Sequence, residues 1–92
     1  MSVIERIRKK ILKRDYYISS RADEEMAEDN FEREDVEYAI LNGFIEKKLT
    51  HDSRGTRYRI EGPGTDGRLM RVLCRFKEIG SLIIITIYEK EE

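Results

Sequence analysis

Between residues 57 and 77, five cations (Arg57, Arg59, Arg71, Arg75 and Lys77) alternate with Tyr58, Ile60, Met70, Val72, Cys74 and Phe76. Side chains on a strand project to its two faces in turn, so this spacing gathers the cations on one side and the apolar groups on the other. The cationic face is expected to include Leu73, Ile84, Thr86 and Tyr88 as well. A guanidinium fork holds phosphate through paired hydrogen bonds and an ammonium holds it as a point charge. RNA is therefore the partner such a face suits, with Arg57, Arg59, Arg75 and Lys77 as its phosphate contacts. The bland alternative is a solvated face paired with carboxylates from the helices. Exposed ion pairs contribute only about 0–1 kcal/mol each, so pairing alone does not explain the clustering.

Cleaving RNA asks for more than binding it. A base must take the proton of the attacking 2′-hydroxyl, cations must stabilise the phosphorane, and an acid must protonate the leaving oxygen. Arg71 is the candidate for charge stabilisation, and Tyr88, expected opposite it, for proton donation or base stacking. His51 is the one imidazole and so the candidate base, although it falls in a turn at the far end of the sheet. No metal site and no cofactor are expected. Cys74 is expected to pack in the core beside Val72, Phe76 and Ile85 instead of serving as a nucleophile.

The elements that must position these residues can be read from spacing. Residues 82–88 form a β-branched run after the turn residues Ile79, Gly80 and Ser81. A loop of even length would set Phe76 opposite Ile83, Cys74 opposite Ile85 and Val72 opposite Ile87. A five- or seven-residue connection through Gly62, Pro63, Gly64, Thr65, Asp66 and Gly67 would put Tyr58 and Ile60 on the apolar face. That segment reads as a turn and not as a phosphate cradle, because no helix follows it. Residues 44–50 form the first strand, with Ile45 and Leu49 expected on one face and Glu46, Lys48 and Thr50 on the other.

Ahead of the strands lie three helical patterns. Residues 2–13 make a basic amphipathic helix with Ser2 as N-cap and Val3, Ile4, Ile7, Ile11 and Leu12 as its apolar stripe. That stripe is expected to dock on the sheet, with a basic arm on RNA or an acidic protein as the functional alternative. An extended segment at residues 15–19 leads to a helix over residues 21–28, capped by Ser19 or Ser20. Another follows over residues 33–42, with Gly43 as a left-handed C-cap. The expectation is an α+β domain over residues 1–92: a basic helix (1–14), two acidic helices (16–43) and an antiparallel β-meander (44–89). Its helices would pack on one face of a four-stranded antiparallel sheet and leave the other open.

Charge is segregated along the chain although the total is only −1. Residues 1–14 carry six cations against Glu5, and residues 15–37 carry ten carboxylates against Arg21 and Arg33. Residues 44–77 then carry nine cations against four acids. Such blocks suit an anionic partner for the basic regions and a basic protein partner for the acidic helices. One cysteine rules out an internal disulfide, and no apolar run approaches the length of a membrane span. A cytoplasmic protein without a signal peptide or membrane partner is expected, with a homodimer as a further option.

With the elements placed, the chain resembles the bacterial family catalogued as domain of unknown function 4258. The resemblance runs through Tyr17-Ile18-Ser19-Ser20-Arg21-Ala22, Met26, Asp35-Val36, Ile40-Leu41-Asn42-Gly43 and Ile45-Glu46. It continues through Arg57-Tyr58, Gly62-Pro63, Asp66-Gly67-Arg68 and Thr86-Ile87-Tyr88-Glu89. It implies kinship with the RelE-type toxin superfamily, small α+β proteins that cleave messenger RNA and are restrained by an antitoxin. The implied function is a toxin-like endoribonuclease of the mRNA interferase kind; a non-enzymatic protein-interaction module is the alternative. The chain departs from the family pattern at Arg21, where a His is usual, and at Asp29-Asn30, where Arg-Gly is usual. Any activity that rests on those two side chains in relatives does not carry over.

Overall fold

The computed structural model describes residues 1–50, 53 and 55–91. Its elements are α1 (Val3–Leu12), β1 (Tyr16–Ile18), α2 (Ser20–Asp29), α3 (Arg33–Asn42), β2 (Phe44–Leu49), β3 (Arg57–Pro63), β4 (Leu69–Phe76) and β5 (Leu82–Glu89). The architecture is α+β, as expected, but the sheet has five strands in the order β1-β5-β4-β3-β2 and is mixed. The added strand is β1, parallel to β5, with Tyr16, Tyr17 and Ile18 opposite Leu82, Ile83 and Ile84. Asp15 fastens it: its carbonyl accepts from the Leu82 amide at 3.2 Å and its carboxylate from the Ser81 hydroxyl at 2.7 Å.

The helix signals act as anticipated at the N-termini. Ser2 and Glu5 form a reciprocal capping box on α1, and the Ser19 hydroxyl accepts from the Ala22 amide at the start of α2. The C-termini differ. Asn30, not Gly43, adopts the left-handed conformation, with φ 57°. Gly43 is extended, and what demands glycine there is space: a Cβ would collide with the carbonyl oxygens of Glu61 and Ala39. At Gly62 a Cβ would collide with the same Ala39 carbonyl. These two glycines let α3 lie almost on the backbone of β3. Arg8 completes the junction by donating to the carbonyls of Ile40 (3.3 Å) and Gly43 (2.8 Å) at the end of α3.

The helices cover one side of the sheet. Ile7 and Ile11 of α1, Ala22 and Met26 of α2, and Val36, Ala39 and Ile40 of α3 meet Ile60, Met70, Val72, Cys74, Leu82, Ile84 and Ile87 in one core. Burial pushes the Cys74 thiol up to about 12, so it is a packing group.

Two irregularities reset the expected registers. The β4–β5 loop holds five residues (77–81), and Phe76 pairs with Leu82, Arg75 with Ile83 and Cys74 with Ile84. A bulge then absorbs Ile85, which restores Leu73 opposite Thr86, Val72 opposite Ile87 and Arg71 opposite Tyr88. The expected pairs at Val72 and at Arg71 therefore hold. Those of Phe76 with Ile83 and of Cys74 with Ile85 do not, and Ile84 lies in the core instead of on the open face. A second bulge between Ile45 and Lys47 leaves Ile45 opposite Ile60 but Leu49 opposite Arg57, so Ile45 and Leu49 fall on opposite faces. The β3–β4 connection is the five-residue turn expected, closed by the Gly64 amide on the Arg68 carbonyl at 2.8 Å.

Candidate functional site on the open face of the sheet

Along β3 and β4 the parity reading holds. Glu61 pairs with Arg71 and Arg59 with Leu73, which places Arg57, Arg59, Arg71 and Arg75 on the face opposite Ile60 and Val72. Tyr88 joins them from β5. Lys77 follows the end of β4 and sets its Nζ 4.3 Å from the centre of the Tyr17 ring. His51 lies outside the described residues.

Two carboxylates stand among the cations. Glu46, which follows the core-facing Ile45 on β2, accepts from Arg59 Nε at 2.6 Å and Nη2 at 3.1 Å, a bidentate pair. Arg71 Nη2 lies 3.7 Å from the same carboxylate. Glu61 accepts from Arg71 Nε at 3.1 Å and from Lys90 Nζ at 3.3 Å. The Tyr88 phenol, paired in register with Arg71, lies close enough to both Arg59 and Arg71 to raise them. Thus Arg59, Arg71, Glu46, Glu61 and Tyr88 form one connected network, which leaves only about a quarter of each of the two Arg side chains exposed. Leu73 is 9% exposed although it lies on the uncovered face, because the stems of these long side chains close over it.

The electrostatics follow from the contacts. The Arg59 guanidinium, with Arg71 adding to it, holds the Glu46 carboxyl below its ordinary range. Glu46 in turn raises Arg59, while Arg71 is raised first by Tyr88 and then by Glu61. A carboxylate whose ionised form is favoured therefore touches two charged guanidiniums, with a phenol beside both. Chemically, the group contains a proton acceptor, two oxyanion binders and a proton donor within one cluster.

Sequence reasoning found Arg59, Arg71 and Tyr88 and missed Glu46 and Glu61. Glu61 has the same parity as Arg57 and Arg59, so a count of both charge signs on that strand would have found it. Glu46 alternates with Ile45, whose partner is the core residue Ile60, so the same count puts it on the open face as well; the bulge misplaces only the residues after it. Arg75 forms no ion pair among the described residues. Among the described residues no group of His, Cys, Asp and Glu is placed to hold a metal ion, and no helix is long and apolar enough to cross a membrane.

Most residues that carry the family resemblance prove to be scaffold. Asp35 is 5% exposed and accepts from the Thr65 amide (2.8 Å), the Thr65 hydroxyl (2.6 Å) and the Glu32 amide (2.8 Å). Arg68 pairs with Asp66 at 2.7 Å, donates to the carbonyls of Asp29 and Asn30, and lies 4.1 Å over the Phe31 ring. Arg21 is exposed on α2 with Glu25 3.8 Å away. Asn30 supplies the left-handed turn that ends α2. A family model described as "Domain of unknown function (DUF4258)" matches residues 18–89. No curated protein and no solved structure gives a match.

Proposed function

The chain belongs to the DUF4258 family, which is defined by sequence and not by a reaction, and from the geometry of the open sheet face we propose that it is a toxin-like endoribonuclease. The observation that carries this reading is the convergence of Glu46, Arg59, Arg71 and Tyr88 on the uncovered side of the sheet. In the proposed step Glu46 takes the proton from a ribose 2′-hydroxyl, and the 2′-oxygen attacks the adjacent phosphorus. Arg59 and Arg71 bind the equatorial oxygens as charge grows on them, the 5′-oxygen departs with the Tyr88 proton, and a 2′,3′-cyclic phosphate remains. The base is thus a carboxylate from β2, which removes the need for His51. Arg57, Arg75 and Lys77 extend the face as contacts for neighbouring phosphates.

A RelE-like ancestry, a cytoplasmic location and a small antitoxin that covers this face belong to the same reading. The test is direct: purified protein is incubated with single-stranded RNA, beside Glu46→Gln and Arg71→Ala. Fragments ending in a cyclic phosphate, lost in both variants, are the expected result. Intact RNA with the unaltered protein, or undiminished cleavage by Glu46→Gln, would overturn it. A second reading, a non-enzymatic protein-interaction module, is favoured by the exposed Phe44 (56%) and Tyr17 (39%) around the same sheet. A discrete protein complex or homodimer without any affinity for RNA would select it.

A further inference from the structure

The Arg59–Arg71 network accounts for only part of the positive charge. At the Phe76 end of β4 two depressions meet. One, of about 600 Å³, is lined by Arg75, Phe76, Lys77, Glu78 and Ile79. The other, of about 350 Å³, is lined by Arg6, Lys9, Lys10, Lys13 and Phe76. Phe76 forms the wall between them, with the Arg6 guanidinium 4.6 Å over its ring. Of these cations only Lys10 is paired, with Asp15 at 2.9 Å; Arg6, Lys9, Lys13, Arg75 and Lys77 form no ion pair among the described residues. Glu78 is the one carboxylate among the described residues lining either depression.

Helix-end electrostatics explain a lysine in the last turn of α1, since cations favour a helix C-terminus. They do not explain Arg6 in its first half, nor Arg75 and Lys77 on a different element. The centre of the α1 apolar stripe is spent in the core, with Ile7 0% and Ile11 2% exposed. Leu12, expected to dock with them, is instead 71% exposed, and it alone offers a membrane too little apolar surface. Cations without an ion-pair partner among the described residues, beside the exposed ring of Tyr17 and the half-buried ring of Phe76, match the pattern that binds a single-stranded nucleic acid: charge tracks the backbone and rings stack on bases. Residues 1–17 also lie ahead of the family match, so α1 is an addition to the matched region.

We propose that α1 and the β4–β5 tip form an extended docking track for single-stranded RNA, running from the Arg59–Arg71 cluster over Arg75 and Lys77, past Phe76, to Arg6, Lys9 and Lys13. This rests on the ribonuclease reading for its direction but not for its chemistry. Arg75 stands four residues along β4 from Arg71, about 13 Å, so the track takes up nucleotides beyond those at the cleavage point. Short RNA would reach only the cluster; longer RNA would reach α1.

The experiment measures binding of fluorescent RNA 4-mers and 12-mers over a salt series, with Glu46→Gln as the background so that the RNA is not consumed. Adding Lys9→Ala and Lys13→Ala is expected to weaken 12-mer binding about tenfold and to lower the salt slope by about 1.4, or about 0.7 per lost phosphate contact. The 4-mer should be unaffected, and Lys9→Arg with Lys13→Arg should restore 12-mer binding. Both lysines are exposed, and a circular-dichroism spectrum of each variant checks that its fold is intact. An unchanged 12-mer slope would overturn the track while leaving the cleavage site standing. Intact RNA after incubation with the unaltered protein, together with lysine-dependent 12-mer binding, would overturn the site while supporting the track. Binding to polyglutamate or to phosphatidylserine vesicles as tight as to the 12-mer would overturn the assignment of RNA as its ligand.

Discussion

Asp35 holds both polar groups of Thr65, its amide at 2.8 Å and its hydroxyl at 2.6 Å, across a separation of thirty residues. The pair ties the first turn of α3 to the β3–β4 turn, and so fixes the end of β4 that leads into Arg71. Burial works to raise the Asp35 carboxyl, but the bonds from Thr65 and Glu32 outweigh it and hold the group below its ordinary value of 3.8. Because the folded value is depressed, this contribution is fully present above the unfolded value and fades as pH falls below about 4. Asp35→Ala is expected to cost about 2–4 kcal/mol in denaturant unfolding at neutral pH, since it strands two amides and a hydroxyl. The gap between the variant and the unaltered protein should narrow as the titration is carried to pH 3. A constant gap would show that the carboxylate charge is not what matters.

Arg59 is the test of fork geometry within the cluster. Arg59→Lys keeps the charge near Glu46 but cannot reproduce the paired contacts at 2.6 and 3.1 Å. Cleavage of single-stranded RNA by this variant is expected to fall about a hundredfold, with RNA affinity changed by only a few fold, because the fork matters for the phosphorane more than for the ground state. Equal losses in affinity and rate would assign Arg59 to binding alone.

Two kinds of glycine should behave differently. Gly43→Ala forces a methyl group into the carbonyls of Glu61 and Ala39, neither of which can move without shifting β3 or α3. A loss of about 3 kcal/mol or more is expected, seen as a Tm drop of over 10 °C in a thermal melt. Gly67 has φ 88° with open space around it, so Gly67→Ala meets only backbone strain and should cost about 1 kcal/mol. Similar melting temperatures for the two would remove the close-approach explanation.

How much of this could be read beforehand depended on where the chain is regular. Alternation from Arg57 to Ile60 and from Met70 to Phe76 is unbroken, so the faces of β3 and β4 followed from spacing, as did the buried Cys74. The failures cluster at insertions. Neither the Ile85 bulge nor the one beside Glu46 leaves a mark in composition, and each shifts parity by one residue. Because the β4–β5 loop is odd and the bulge adds one more, the two errors cancel beyond Ile85, and Arg71 still meets Tyr88. β1 went unread as a sheet strand because three residues carry no periodicity, and its partner lies far along the chain. Glu46 and Glu61 are legible by the same parity as the arginines, but nothing in a count of cations singles them out as their partners.

β1 joins the sheet only through β5. During synthesis, therefore, Tyr16, Tyr17 and Ile18 have no neighbour to bond until residues 82–84 have left the ribosome. Until then the nascent chain keeps one edge of β4 bare and Tyr88 has not reached the two arginines. The cluster of Glu46, Arg59, Arg71 and Tyr88 is thus complete only after β5 has been made, and a copy stalled before residue 82 would lack it.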